Sequence, residues 1–431
     1  MLTVAACPAL AQDMPAARSN RPYRGLFQSG VQDASQVLTV SGSIGAGYDI
    51  TSVSGATIGG DTTRELRGGY SAGSAALLYS LSLERISFGA SAATGGRLYG
   101  GSTAEWLASR SAGATVAMQV LRSTRVTAAE MYRYGPYNLL SLSSPPFESS
   151  GIDVPLIDDD VAISSRRYST VATTAAVTQS IRAGARSTLN LDYTYARSRT
   201  SILSRDFQSQ RAGATFTRGL TQNLAFNLGY HYRRADYPSG TSRRVFDAHE
   251  ADAGISFNRP LSLTRRTQLS FSTGSSAYAN ESGPSSRTSY RISGSARLTH
   301  EIGRTWSAAL SYARNIGFVD TFEQPITYDS ITAAVGGLIS RRLQFSGSVR
   351  ASGGQVGLSG LNNDYRTYIG STSLVTSLTR NIGLGASYYY LRARFGAGAA
   401  VPTGVGPEME RQGVRGYVTV WAPIFSRARR P

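Results

Sequence analysis

The stretch NLAFNLGYHYRRADY, residues 223–237, alternates. Leu224, Phe226, Leu228, Tyr230 and Tyr232 take one set of positions, and Ala225, Asn227, Gly229, His231 and Arg233 take the other. A period of two places the two sets on opposite faces of a β-strand. Strands of globular proteins usually run to about five or six residues. This one is longer, and aromatics crowd one end of its apolar face.

The pattern recurs along the chain. STLNLDYTYARS, residues 187–198, sets Leu189, Leu191, Tyr193 and Tyr195 against Asn190, Asp192 and Thr194. RLQFSGSVRAS sets Leu343, Phe345 and Val349 against Gln344, Ser346, Ser348 and Arg350, and NIGLGASYYY sets Ile382, Leu384, Ala386, Tyr388 and Tyr390 against Gly383, Gly385, Ser387 and Tyr389. Each run has about 10 to 15 residues, the length a tilted strand needs to cross a bilayer and project beyond it. The connectors alternate between short and long. Short ones include residues 83–85, 302–304, 341–342 and 380–381; longer polar ones include 54–67, 141–166, 238–244, 280–287 and 396–412. Eight short turns and nine longer loops predict an all-β fold: a transmembrane antiparallel up-and-down barrel of about 18 strands. An even number places both chain ends on one side. A soluble propeller would use shorter strands and a periodic motif, and no such repeat is present.

Composition agrees. The 431 residues are 41% hydrophobic, with 24 Tyr and 46 Gly. No apolar run of about 18 residues offers a transmembrane helix. The opening MLTVAACPALAQ carries Ala9-Leu10-Ala11, an A-x-A cleavage site. Residues 1–11 are therefore expected to be a signal-peptide remnant, 12–35 a periplasmic tail, 36–425 the barrel and 426–431 a C-terminal tail. Val4-Ala5-Ala6-Cys7 is also compatible with a lipoprotein box. Cys7 is the only cysteine, so the barrel has no disulfide framework and no thiolate site. In the last strand Tyr417, Thr419, Trp421 and Phe425 share sequence parity. They resemble the C-terminal aromatic signal that outer-membrane barrels present to the barrel-assembly machinery.

The chain contains no Lys; all 44 basic residues are Arg, against 27 acids, for a net charge of +17. Arginines such as Arg85, Arg122, Arg182, Arg218, Arg341, Arg342 and Arg380 gather at the short turns, whereas acids gather in the long loops. Turn arginines suit lipid phosphates, outer-membrane lipid and lipopolysaccharide being the expected surroundings. They also make a positive mouth that concentrates anions. Parity places Arg211, Arg233, Arg291, Arg297 and Arg350 on the inward face, with Asp49, Asp192, Glu250 and Asp252. These are the candidate selectivity residues. Asp158, Asp159 and Asp160, in the longest loop, are a candidate divalent-cation cluster, although their spacing matches no calcium loop and fits a solvated charge run.

Enzymatic motifs are lacking. Of three histidines, His231 points inward, His249 lies near a long loop and His300 near a short turn. None stands in a G-x-S-x-G context. No cofactor is implied. The basic residues follow turn positions and do not form one face with interleaved aromatics, which argues against nucleic acid.

LLYSLSLERISFGASAATGG, residues 77–96, and VGGLISRRLQFSGSVRAS, residues 335–352, are hairpins of the form aromatic-x-aromatic, Arg turn, apolar-x-apolar. In these the chain resembles the porin-2-like outer-membrane barrels, many of which accompany exopolysaccharide systems. The resemblance covers most of residues 36–425 and carries over no site residue. It implies passage or secretion of a polysaccharide, with an exopolysaccharide secretion system as a partner. The expected function is a porin-like channel for anionic polysaccharide or small anionic solutes. The alternative is a plugged barrel serving as a surface anchor or adhesin. A plug-domain receptor is disfavoured by the short N-terminal tail.

Overall fold

The computed structural model describes residues 34–54, 57–58, 61–62, 68–100, 105–136, 167–184, 186–200, 205–239, 242–260, 267–279, 288–303, 305–317, 326–356, 363–399 and 407–428. The strands are β1 Ala34–Ser54, β2 Thr57–Ile58, β3 Asp61–Thr62, β4 Gly68–Ser82, β5 Ile86–Tyr99, β6 Glu105–Leu121, β7 Thr124–Pro136, β8 Arg167–Gly184, β9 Ser187–Thr200 and β10 Arg205–Gly219. They continue with β11 Leu224–Ser239, β12 Ser242–Pro260, β13 Thr267–Ala279, β14 Thr288–Ile302, β15 Trp306–Gly317, β16 Ile326–Leu338, β17 Leu343–Val356, β18 Asp364–Ser377, β19 Ile382–Phe395 and β20 Glu408–Ala428. β2 and β3 make a small separate hairpin. The other 18 form one antiparallel sheet in which each strand pairs with its sequence neighbour, and β1 pairs with both β4 and β20. The expected 18-strand barrel is thus observed, and its end strands run slightly beyond residues 36–425.

Local chemistry explains the short turns. In residues 220–224, 339–343 and 378–382 an apolar residue is followed by Thr221, Ser340 or Thr379. In each, the backbone N–H of the first residue donates to the carbonyl four positions on, at 2.8 to 2.9 Å. The hydroxyl then accepts from the two N–H groups that lead into the next strand, as with Asn223 and Leu224 on Thr221. The turn is closed from within by one side chain. Residues 238–239 and 242–244, expected as part of a loop, instead extend strands β11 and β12, with Ser239 opposite Ser242. Polar composition there reflects strands that have left the bilayer.

Register carries one face around the ring. Leu228, Tyr230, Leu310, Leu384 and Val418 lie outward and exposed, Leu228 to 52%. Tyr132, Tyr193, Tyr230, Tyr312 and Tyr388 lie near the long-loop ends of this outer face. Beyond them come charged pairs such as Arg314–Asp329 at 3.2 Å and Arg394–Glu408 at 2.7 Å. An apolar belt capped by tyrosines and then by charge is the profile of a lipid-facing wall. Only a closed ladder satisfies every backbone group in lipid without helices.

The last strand departs from simple parity. Opposite β1, Leu38 pairs with Phe425 and Thr39 with Pro423, so Ile424 is left over in a bulge. Pro423 cannot donate to the ladder, which places the bulge there. Tyr417, Thr419 and Trp421 face inward, while Phe425 emerges outward with its ring 6.4 Å from Tyr79. The expectation that these four share a face is corrected by that one extra residue.

Candidate functional site

The register places the residues expected inward from parity on one common face of the sheet. On β9 to β12 they converge. Asp192 of β9 and His231 of β11 both lie opposite Gly213 of β10, and Glu250 of β12 lies opposite His231. The His231 ring is 8% exposed. Its Nδ1 is 3.8 Å from Asp192 Oδ1, and its Nε2 is 3.4 Å from Asp252 Oδ1 and 3.4 Å from Thr215 Oγ1. A Cβ on Gly213 would collide with the imidazole, so the missing side chain makes room for the ring. Arg211 reaches Glu250 at 3.9 Å, and Arg233 stands opposite Arg211. Beside Asp252 the β12–β13 ladder is irregular between His249 and Phe257. The result is a mixed-charge panel: three carboxylates, two guanidiniums and an imidazole held between two of the acids.

The panel on β13 to β18 differs. Arg297 and the exposed Arg291 are inward on β14, and Arg350 is inward on β17. Arg291 donates to Gln355 at 3.3 Å and Arg350 to Thr332 at 3.2 Å. Their surroundings are small hydroxyls paired across strands, such as Ser346 with Ser373 at 2.7 Å and Ser348 with Ser371 at 3.0 Å. Apart from Glu301 at the short-turn rim, the described inward face of β13 to β20 carries no acid. The lumen thus has a mixed wall and a basic wall.

A third cluster was only partly foreseen. Asp49 was read as inward; its partners were not. Asp49 Oδ2 accepts from Arg411 at 2.7 Å, Arg97 at 3.1 Å and the Tyr99 hydroxyl at 2.6 Å, and Oδ1 accepts from Tyr389 at 2.7 Å. Arg97 lies over the Tyr70 ring at 4.7 Å. β19, β20, β1, β4 and β5 all contribute, so the network spans the seam where the last strand meets the first. Parity alone marks Arg97 and Arg411 as inward; their meeting needs the ring to be closed.

Exposure divides the lumen by height. Toward the short turns many inward residues are small, polar and accessible, as at Ser74, Ser87, Thr178 and Ser272, with Tyr417 and Trp421 of β20 as large exceptions. Toward the long loops they are large and buried: Ile326, Tyr328, Val356, Tyr365, Leu391, Phe395 and Met409 on one side, Phe207 and Phe246 on another. Asp158, Asp159 and Asp160 lie outside the described residues. His249 bonds the Tyr230 hydroxyl on the outer face, and His300 bonds Thr267 near a short turn. Among the described residues no group of three or more His, Cys, Asp or Glu is placed to hold a metal.

No protein-family model matches the chain, and no curated protein matches it. Solved structures similar to it are outer-membrane proteins. OpdL of Pseudomonas aeruginosa is 12% identical with a TM-score of 0.43, over 90% of this chain and 99% of that one. The FrpB iron transporter of Neisseria meningitidis is 9% identical with a TM-score of 0.47, over 91% and 83%. The siderophore receptor PirA of Pseudomonas aeruginosa is 10% identical with a TM-score of 0.41, over 90% and 80%. The chain's own closed 18-strand ladder and apolar outer belt make it a barrel of the bacterial outer membrane.

Proposed function

We propose that the chain is a porin-like channel whose lumen favours anionic solutes, with anionic polysaccharide or small organic anions as the substrate class. The observation that carries this reading is the basic inner wall, on which Arg291, Arg297 and Arg350 stand among small hydroxyls and Glu301, at the short-turn rim, is the one inward acid of the described β13 to β20. A ring of 18 strands is wide enough to leave an aqueous channel. Opposite the basic wall, Asp192, Glu250 and Asp252 supply the other pole of a transverse field. The short-turn rim adds exposed arginines, including Arg85, Arg122, Arg182, Arg341, Arg342 and Arg380. Such a mouth raises the local anion concentration. No cofactor is required, because width and lumen charge set selectivity. Outer-membrane phosphates and lipopolysaccharide, the barrel-assembly machinery and an exopolysaccharide secretion system are the partners in this reading.

Burial of the inner wall near the long loops favours a second reading, a barrel closed at its outer half that serves as a surface anchor. Single-channel recording of the purified barrel in a planar bilayer under a KCl gradient separates the two. Steady conductance with an anion-selective reversal potential supports the channel. A barrel that inserts but never conducts sinks it in favour of the closed form, and cation selectivity removes the anionic substrate class.

A further inference from the structure

Near the short turns, no described strand but β20 turns an aromatic ring inward. Counted up from that rim, the inward residues of β20 are Trp421, Thr419, Tyr417 and Arg415. They stand opposite Ser41, Ser43, Gly45 and Gly47 of β1. On the other side Thr419, Tyr417 and Arg415 pair with Gly383, Gly385 and Ser387 of β19. Glycine and serine therefore border the column on both flanks. Two large rings beside nearly bare backbone leave apolar surface facing an aqueous lumen, and a ligand that covers them removes that surface from water.

The column is held in place from below and from the side. The Trp421 backbone N–H donates to the Asn381 carbonyl at 2.8 Å, and its carbonyl accepts from the Asn381 side-chain amide at 2.8 Å. Its indole N–H has no partner among the described residues. The Tyr417 ring fills the space that a Cβ on Gly385 would need, so it lies along the β19 wall. Arg415 has its guanidinium 5.3 Å from the centre of that ring and donates to Ser43 Oγ at 3.2 Å. The Ser43 hydroxyl in turn pairs with Ser74 at 2.7 Å. Asp49, the inward carboxylate above Arg415, is already held by Arg97 and Arg411.

We propose that this column of β20 is a subsite for acidic oligosaccharide, on which Trp421 and Tyr417 stack against sugar rings and Arg415 takes a carboxylate. A sugar ring has an apolar C–H face and a rim of hydroxyls. A flat aromatic side chain suits the first, and the hydroxyls of Ser41, Ser43 and Thr419 with the Trp421 N–H suit the second. A guanidinium binds a carboxylate through two parallel hydrogen bonds. Tyr417 and Trp421 lie four residues apart on one strand, about 13 Å, so a ligand that touches both has to be longer than one sugar. A small organic anion engages Arg415 alone and has no use for the rings. The subsite rests on the channel reading for its place in a solute path, and it narrows the substrate class of that reading.

The test is calorimetric titration of the folded full-length barrel, in a detergent without a sugar headgroup, with oligogalacturonate, a neutral malto-oligosaccharide and citrate. Oligogalacturonate is expected to bind most tightly. Tyr417→Ala and Trp421→Ala should each weaken it roughly tenfold, the loss of one stacked ring. Tyr417→Phe and Trp421→Phe, which keep a ring, should retain most of the affinity. Arg415→Gln should weaken oligogalacturonate roughly tenfold and leave the neutral oligosaccharide unchanged. Heat-modifiability confirms that each variant is a folded barrel. Oligogalacturonate that does not bind, binding that survives the loss of both rings, or citrate that binds as tightly overturns the proposal. A barrel that conducts anions yet binds no sugar overturns the subsite and leaves the channel. One that binds oligogalacturonate through the rings but never conducts supports the subsite and removes the channel.

Discussion

Arg411 and Asp49 meet at 2.7 Å across the barrel seam, both fully buried, although 362 residues separate them in the chain. The carboxylate also holds Arg97, so one acid neutralises two guanidiniums from strands on either side of β1. Removing one member of a buried pair leaves an uncompensated charge.

Asp49→Ala should therefore cost about 3–5 kcal/mol, because two buried arginines lose their only carboxylate. Arg411→Met should cost less, roughly 1–3 kcal/mol, since Arg97 and two tyrosine hydroxyls still satisfy Asp49. Urea titration of the folded barrel in lipid vesicles measures both. Equal losses would mean that Arg97 does not compensate for Arg411.

Lumen charge is tested by exchanging Arg291, Arg297 and Arg350 for Gln together. The reversal potential should move toward cation selectivity. The shift should be larger at 0.1 M than at 1 M salt, because the screening length falls from about 10 Å to about 3 Å. Asp192→Asn with Asp252→Asn should move it the opposite way. Unchanged selectivity in the arginine variant would remove the basic wall from the mechanism.

Gly213 lies beneath the His231 ring, where an added Cβ would collide with Nδ1. Gly213→Ala should displace the imidazole from between Asp192 and Asp252 and cost about 1–3 kcal/mol, as overpacking does. Histidine NMR resonances report the displacement. A double variant that also carries His231→Ala should recover most of the loss, because the two positions share one space.

At the C-terminus, Phe425 faces outward beyond the bulge at Ile424, while Tyr417 faces the lumen. Phe425→Ala should lower the assembled fraction in cells, read as the heat-modifiable band in outer-membrane fractions. Tyr417→Ala should leave it unchanged. Equal effects would show that the assembly machinery reads composition alone and not the outward face.

Most of the architecture was legible because its cause is local. The two-residue period in stretches such as residues 223–237 places Asp192, Arg211, His231 and Arg350 on the inner wall without any knowledge of pairing. Turn chemistry at Thr221, Ser340 and Thr379 marks the strand ends just as locally. Non-local features were hidden. Arg97 and Arg411 look like ordinary inward arginines until closure brings β5 and β20 to either side of β1. The bulge beside Pro423 turns Phe425 to the other face, and a count of parity carries straight through it. The contrast in exposure along the lumen depends on radius and filling, which no single strand encodes.

The pairing of β1 with β20 also sets an order of events. During synthesis, the strand that begins at Ala34 emerges long before the one that ends at Ala428. Until then it offers an unpaired edge, which is a template for aggregation. The ring cannot close while the chain is still growing, so the finished polypeptide has to be kept soluble and unclosed until it reaches its membrane. A truncation that removes β20 would leave two open edges, β1 and β19. Its expected fate is degradation and not a smaller pore.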